Sequence, residues 1–221
     1  MSGLRVLLTG FEPFGGEPVN PSQSLVTALA RRAPPDRRLR LLAAVLPVDR
    51  RRMPEALARA VREHRPDVVL GVGQATGRAR VDLESVARNR IDFRGERDNG
   101  GHVALDEPLA EGGPERLVSR LPLRALAGEL RAQGLPVRLS RDAGSHLCNA
   151  LLFELLRRYP RVPSAFVHVP LLPAQAARRG KGEPALPEAV SRTCLLALVR
   201  RLPDLVPSRR APGRAPRRAG T

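Results

Sequence analysis

The chain holds two cysteines and four histidines, and their surroundings differ enough to sort them. Cys148 lies in Ser140-Arg-Asp-Ala-Gly-Ser-His-Leu-Cys-Asn-Ala-Leu-Leu-Phe-Glu-Leu-Leu, where a strand gives way to a small-residue turn and then to an amphipathic helix. The sulfur falls in the first helical turn, where free amides and the positive end of the helix dipole favour a thiolate. A thiolate there is a competent nucleophile toward an acyl carbon. A lone cysteine can equally be a small buried apolar residue, and local sequence leaves both readings of Cys148 open. Cys194, in Thr193-Cys-Leu-Leu-Ala-Leu-Val, sits inside an apolar helix far from any turn and reads as core.

A nucleophilic cysteine needs a base. His64 ends a charged helix, His102 lies in the glycine-rich loop Asn99-Gly-Gly-His, and His146 is two residues from Cys148, a spacing that points it to a different helical face. His168, in Ala165-Phe-Val-His-Val-Pro-Leu-Leu-Pro, lies near the end of an apolar strand that Pro170 terminates. In a parallel sheet that end shares an edge with the start of the Cys148 helix, so the imidazole could reach the thiol. A hydrogen-bonded core histidine is the alternative.

The base in turn needs a group that fixes its tautomer and stabilises the imidazolium. Glu84, in Arg80-Val-Asp-Leu-Glu-Ser-Val-Ala-Arg-Asn, falls in a partly apolar stretch. Asp82 is two residues earlier and spacing does not separate them. Either could also be a surface carboxylate among many arginines.

The loop Gly10-Phe-Glu-Pro-Phe-Gly-Gly-Glu-Pro-Val-Asn-Pro-Ser carries Phe11 and Phe14, two of the five phenylalanines. They are expected either to wall an apolar pocket for a small ligand or to anchor the loop. The glycines do not follow a phosphate-binding pattern, since no Lys-Ser/Thr and no G-x-G-x-x-G is present.

The elements that must position these residues follow from periodicity. Strands are expected at Leu4 to Thr9, Leu39 to Leu46, Asp67 to Val72, Val137 to Ser140 and Ala165 to Val169. Helices are expected from Pro21 or Ser22 to Arg32, Pro54 to His64, Leu121 to Gln133, Leu147 to Tyr159 and Pro187 to Arg201. Their alternation predicts an α/β fold: a single-domain α/β/α sandwich on a mostly parallel twisted sheet. In such sheets, sites gather where strands end and loops begin.

The length of 221 residues fits one domain with a core of its own. That domain is expected over residues 1–205, followed by a basic Pro/Arg-rich tail over 206–221 with no apolar face to bury. Two cysteines are too few for a disulfide framework. No apolar run approaches about 18 residues and the N-terminal segment lacks a cleavage pattern, so a cytoplasmic protein without membrane association is expected.

The net charge of +16 raises the question of nucleic acid. The cations are spread along the chain, Lys181 is the only lysine, and with one tyrosine and no tryptophan there is little on which bases could stack. Specific nucleic-acid binding is not expected. No cysteine/histidine cluster has metal-ligand spacing, and no metal or organic cofactor is expected.

Taken in order, Thr9-Gly-Phe-Glu-Pro-Phe-Gly-Gly with Asn20-Pro-Ser, Gly73-Gln-Ala with Gly77-Arg, Leu147-Cys-Asn and Phe166-Val-His-Val-Pro resemble the pyroglutamyl peptidase I family over roughly residues 4–200. The resemblance implies a triad at Cys148, His168 and Glu84, a pocket for the pyrrolidone ring walled in part by Phe11 and Phe14, and positions beside it for Gln74 and Arg94. It implies a cysteine peptidase that removes N-terminal pyroglutamate through a thioester, acting on peptides as a homodimer or homotetramer. The chain departs from the family pattern near the site. His146 stands where an aromatic residue is usual, and Arg88 and Phe93 also differ. A related thiol hydrolase of another small acyl amide, or a non-catalytic basic binding protein on the same scaffold, are the competing expectations.

Overall fold

A computed structural model describes residues 3–33 and 36–207. Most of the expected basic tail, residues 208–221, lies outside the described residues. In chain order the elements are β1 (Leu4–Phe11), α1 (Pro21–Arg32), β2 (Leu39–Leu46), α2 (Met53–His64), β3 (Val68–Gln74), β4 (Val81–Glu84), β5 (Val86–Arg88), β6 (Arg116–Val118), α3 (Leu123–Ala132), β7 (Val137–Ser140), α4 (Leu147–Arg158), β8 (Ser164–Val169), α5 (Pro173–Arg179) and α6 (Glu188–Leu205).

Six strands form one sheet in the order β2-β1-β3-β8-β4-β7, and β5 pairs with β6 in a separate ribbon. The pairs β1/β2, β1/β3, β3/β8 and β4/β7 are parallel, and only β4/β8 is antiparallel. The sheet is thus mostly parallel, as the alternation of elements predicts. The central strand β3 is buried at every position, which explains its continuous Val-Val-Leu-Gly-Val-Gly run.

Strand alternation divides the apolar residues into two cores. Leu4, Val6, Val68, Leu70, Val81, Leu83, Ala165 and Val167 face α1, α3 and α6. Leu7, Val69 and Phe166 face α2 and α4. Each fully buried side chain of this size contributes roughly 1.5–3 kcal/mol, so the pleat is held in register on both faces. A slip of one residue would exchange the two sets.

The same parity places chemistry. On β4, Val81 and Leu83 enter the first core, so Asp82 and Glu84 point to the α4 side. On β8, Ala165, Val167 and Val169 enter the first core, so His168 joins Phe166 on the α4 side.

Local sequence explains the loop that leaves β1. Asn20 caps α1 by accepting from the Ser22 amide at 3.0 Å, Pro21 opens the helix, and Ser22 Oγ accepts from the Phe11 amide at 3.0 Å. Gly10 is required here, because a Cβ would lie 2.7 Å from the Ser22 carbonyl oxygen.

Three boundaries differ in an instructive way from expectation. Val81–Glu84 is a strand rather than a stretch following one, α6 continues past Pro203 to Leu205, and α5 is a short helix opened by Pro173.

Candidate active site

The site forms where α4 begins beside the ends of β3 and β8. His146 occupies the cap position and Cys148 the first turn of α4, with the thiol partly exposed. The amides of Leu147, Cys148 and Asn149 precede the first intrahelical donor, the Ala150 amide that bonds to the His146 carbonyl, and so have no partner within the helix. The sulfur lies against β3, where a Cβ built on Gly73 would sit 2.9 Å from Cys148 Sγ and 2.7 Å from Phe166 Cζ. A glycine at 73 leaves the room that sulfur and ring both use.

His168 is only 4% exposed. Its Nδ1 lies 2.9 Å from Glu84 Oε1, so the N–H donates to the carboxylate and Nε2 is left free of it, with the Cys148 side chain near enough for its charge to act on the ring. The Phe166 ring meets the imidazole edge-on, centroids 4.9 Å apart, and braces it from below. Burial pushes the His168 pKa down, but the charge and hydrogen bond of Cys148 and those of Glu84 outweigh it and raise the imidazole to about 9. At neutral pH the imidazole is therefore an imidazolium, with Cys148 on one side and Glu84 on the other.

Asp82 and Glu84, which spacing alone does not separate, have different partners. Both are fully buried. Asp82 is taken up by two guanidinium groups: Arg138 donates from Nε at 2.9 Å and from NH2 at 2.6 Å, and Arg78 NH1 makes a further close ion pair. Glu84 takes the histidine. Its second oxygen accepts from the Asp142 amide at 3.2 Å, and Arg78 NH2 lies 3.6 Å from Oε1.

Gln74 closes β3, buried, with its Oε1 accepting from Gln175 Nε2 at 3.1 Å and its backbone in register with Val169. Arg94 is exposed with a left-handed backbone, φ 52°. Its charge reaches His146, whose pKa burial lowers first and Arg94 lowers further, against the pull of Glu96 and Asp92. Phe93 is buried, with its ring centroid 5.5 Å from that of His146. Phe11 is buried in the core beneath α2 and α4, while Phe14 is half-buried in the loop. The structure therefore brings Cys148, His168 and Glu84 into one contiguous set. Gln74 stands beside it, Arg94 acts on His146 at the start of α4, Phe11 ends β1 inside the core rather than in the loop, and Phe14 is half-buried in the loop that follows.

Sequence reasoning gave no role to Asn149, although it appears in Leu147-Cys-Asn. Its side chain accepts from the Arg88 amide at 2.8 Å and donates to the Arg88 and Arg90 carbonyls at 2.9 and 2.8 Å. It ties the segment after β5 to the first turn of α4. Gly73 and Arg78 were likewise visible only as pieces of a pattern.

Elsewhere, Asp49, Asp98 and His102 bring ligand-type atoms within 4.8 Å of one another. Their carboxylates already accept from backbone amides of Arg50, Arg51, Arg52 and His102, so the group serves to fold the loop before α2. Cys194 is 1% exposed in the first core, and burial pushes its thiol up to about 11. No helix among the described residues is long and apolar enough to cross a membrane.

An α/β sandwich with a thiol at a helix start, an imidazole at a strand end and a buried carboxylate behind it is the architecture of a thiol-dependent hydrolase. Comparison with known proteins narrows the class. The pyroglutamyl peptidase family model matches residues 4–199, and the chain belongs to that family. It is 43% identical over 175 residues to the pyrrolidone-carboxylate peptidase of Vibrio vulnificus strain CMCP6, covering 78% of this chain and 81% of that one. With the Bacillus licheniformis pyrrolidone-carboxylate peptidase it shares 39% identity over 188 residues, 83% and 85% of the two chains. The crystal structure of the pyrrolidone carboxyl peptidase from Fervidobacterium islandicum AW-1 superposes with a TM-score of 0.84 at 32% identity, covering 92% of this chain and all of that one. Bacillus amyloliquefaciens pyroglutamyl peptidase I gives 0.81 at 32% identity, over 88% and 94% of the two chains.

Proposed function

We propose that the chain is a cysteine exopeptidase that removes an N-terminal pyroglutamyl residue from peptides, with Cys148 as nucleophile, His168 as acid and base, and Glu84 as the group that orients and stabilises the imidazolium. The observation that carries the assignment of roles is the buried hydrogen bond between His168 and Glu84 beside Cys148, which lies near enough to the imidazole to raise its pKa.

The Cys148 thiolate attacks the carbonyl carbon that joins pyroglutamate to the next residue, forming the C–S bond and a tetrahedral oxyanion. The first-turn amides of α4 donate to that oxygen. His168 gives its Nε2 proton to the departing nitrogen as the C–N bond breaks, and the shortened peptide leaves as an amine. Water then attacks the thioester with His168 accepting its proton, releasing 5-oxoproline and regenerating the thiolate. Every proton in this cycle passes through one imidazole, whose raised pKa keeps it charged at neutral pH.

Specificity follows from desolvation. A pyroglutamyl terminus carries no ammonium, so apolar surface at Phe14, backed by the buried Phe11, with a hydrogen bond from Gln74 would accept the lactam, whereas a charged N-terminus would lose its hydration without a partner. Arg94 stands beside the entrance on this reading. A cytoplasmic location and a homodimeric or homotetrameric assembly belong to the same proposal. The packing of Phe93 on His146 near the nucleophile favours testing other small acyl amides alongside pyroglutamyl ones.

The test is release of a chromogenic amine from a pyroglutamyl amide by wild type, Cys148→Ser and Cys194→Ser. Activity abolished only in Cys148→Ser supports the assignment. A folded, reduced wild type with no activity on this substrate overturns it.

A further inference from the structure

On β4, Asp82 and Glu84 stand two residues apart on one face, both fully buried. Two neighbouring carboxylates in a low-dielectric site repel one another and lose hydration, so nearby positive charge decides whether both stay ionised. Arg138, on the neighbouring edge strand β7, donates twice to Asp82 and acts on Glu84 only through its charge. Arg78 spans the pair. One of its nitrogens forms the close ion pair with Asp82, and the other lies 3.6 Å from Glu84 Oε1, the oxygen that His168 uses, and 3.1 Å from the Asp142 carbonyl oxygen, to which it donates. The Asp142 amide in turn donates to Glu84 Oε2. Arg78 thus fixes Glu84 both directly and through the turn that leads to the Cys148 helix.

We propose that Arg78 is a positioning residue for the proposed peptidase reaction, holding Glu84 as an oriented carboxylate behind His168 while Asp82 anchors the guanidinium in place. The inference rests on the assignment of Glu84, His168 and Cys148 made above. The charged and titratable groups around Glu84 are His168 from β8, Arg78 from the β3–β4 loop, Asp82 on its own strand, Arg138 from β7, and Cys148 beyond the imidazole. Arg78 is the only guanidinium with a nitrogen within ion-pair distance of both acids among the described residues. A guanidinium is needed because its fork serves two acceptors in different directions, which an ammonium cannot do in a fixed geometry.

The consequence is coupling. If Arg78 acts through Glu84, replacing it matters while Glu84 is present and has little left to remove once Glu84 is gone. The experiment measures kcat/KM on a pyroglutamyl amide against pH for wild type, Arg78→Met, Arg78→Lys, Glu84→Gln and the double variant Arg78→Met/Glu84→Gln, each checked for folding by circular dichroism and thermal melting. The expected result is a loss of about tenfold or more in Arg78→Met, of the order that coupled neighbours give. It comes with an upward shift of the acidic side of the profile and partial recovery in Arg78→Lys, and the step from Glu84→Gln to the double variant is within about twofold. Equal losses from Arg78→Met in both backgrounds, with an unmoved profile, would mean a purely structural role and overturn the inference. If Arg78→Met does not fold, Arg78→Lys and its double variant carry the same comparison. An inactive wild type would instead overturn the assignment of the reaction, so the two failures are distinguishable.

Discussion

Gly73 and Cys148 meet with no room between them: a methyl group on Gly73 would sit 2.9 Å from the sulfur and 2.7 Å from the Phe166 ring that braces His168. The close approach lets α4 settle onto β3 and puts the thiol beside an imidazole that arises on the next strand. Backbone conformation does not demand this glycine, since its φ is not in the left-handed region. Space demands it.

Replacing Gly73 with alanine must therefore move the sulfur, the Phe166 ring or the helix. The expected outcome is a protein destabilised by about 1–3 kcal/mol from overpacking, with kcat on a pyroglutamyl amide reduced about a hundredfold by misplacement of the nucleophile. Chemical denaturation and steady-state kinetics check the two effects separately. Wild-type kcat in the alanine variant would contradict the claim that this contact positions the thiol.

The raised pKa of His168 sets a pH dependence with a definite sign. The folded imidazole holds its proton up to about 9 against an ordinary value of 6.5. Its stabilising contribution is therefore fully present below about 6.5 and is lost as pH rises through about 9. Activity that needs the imidazolium should fall over the same alkaline range. Glu84→Gln removes one of the negative charges that raise the pKa, so the alkaline limb of kcat/KM should move to lower pH by about one to three units. A pH–rate profile that keeps its alkaline limb in this variant would show that Glu84 does not control the base.

The two thiols should separate cleanly by reactivity. Cys148 is partly exposed at a helix start, whereas Cys194 is sealed in the first core with its pKa pushed up to about 11 by burial. Iodoacetamide under native conditions should add one label, on Cys148, with parallel loss of activity. The second should appear only in denaturant, as read by mass spectrometry of peptides. A native label on Cys194 would mean that the α6 face opens.

Most elements were legible because their residues repeat with one period over a sufficient length. The Leu/Val runs of β1, β2, β3 and β8 and the amphipathic spacing of α2 and α4 belong to this group. The site was legible to the extent that its chemistry is local: a small-residue turn before Cys148, and an apolar strand ending after His168. What escaped depends on partners distant in sequence. Val81-Asp-Leu-Glu84 alternates as a strand should, but spacing left its two acids unseparated, each either the histidine's partner or a surface carboxylate, because nothing nearby announces Arg138, 56 positions away from Asp82, or His168, 84 positions from Glu84. Asn149 looked like an ordinary helix residue until its bonds to Arg88 and Arg90 were seen. The ribbon strands β5 and β6 are three residues each, too short for any period to register.

The order of strands also bears on how the protein comes into being. Among the described residues β8 is the last strand in the chain, yet it lies in the middle of the sheet, with β2-β1-β3 on one side and β4-β7 on the other. Without residues 164–169 no pairing joins β2-β1-β3 to β4-β7, and the contacts β8 makes with both close long loops whose entropy opposes them. The same strand carries His168, so the imidazole reaches its place between Cys148 and Glu84 only when β8 pairs with both halves. Pairing of β8 with both β3 and β4 thus completes the sheet and the proposed triad together.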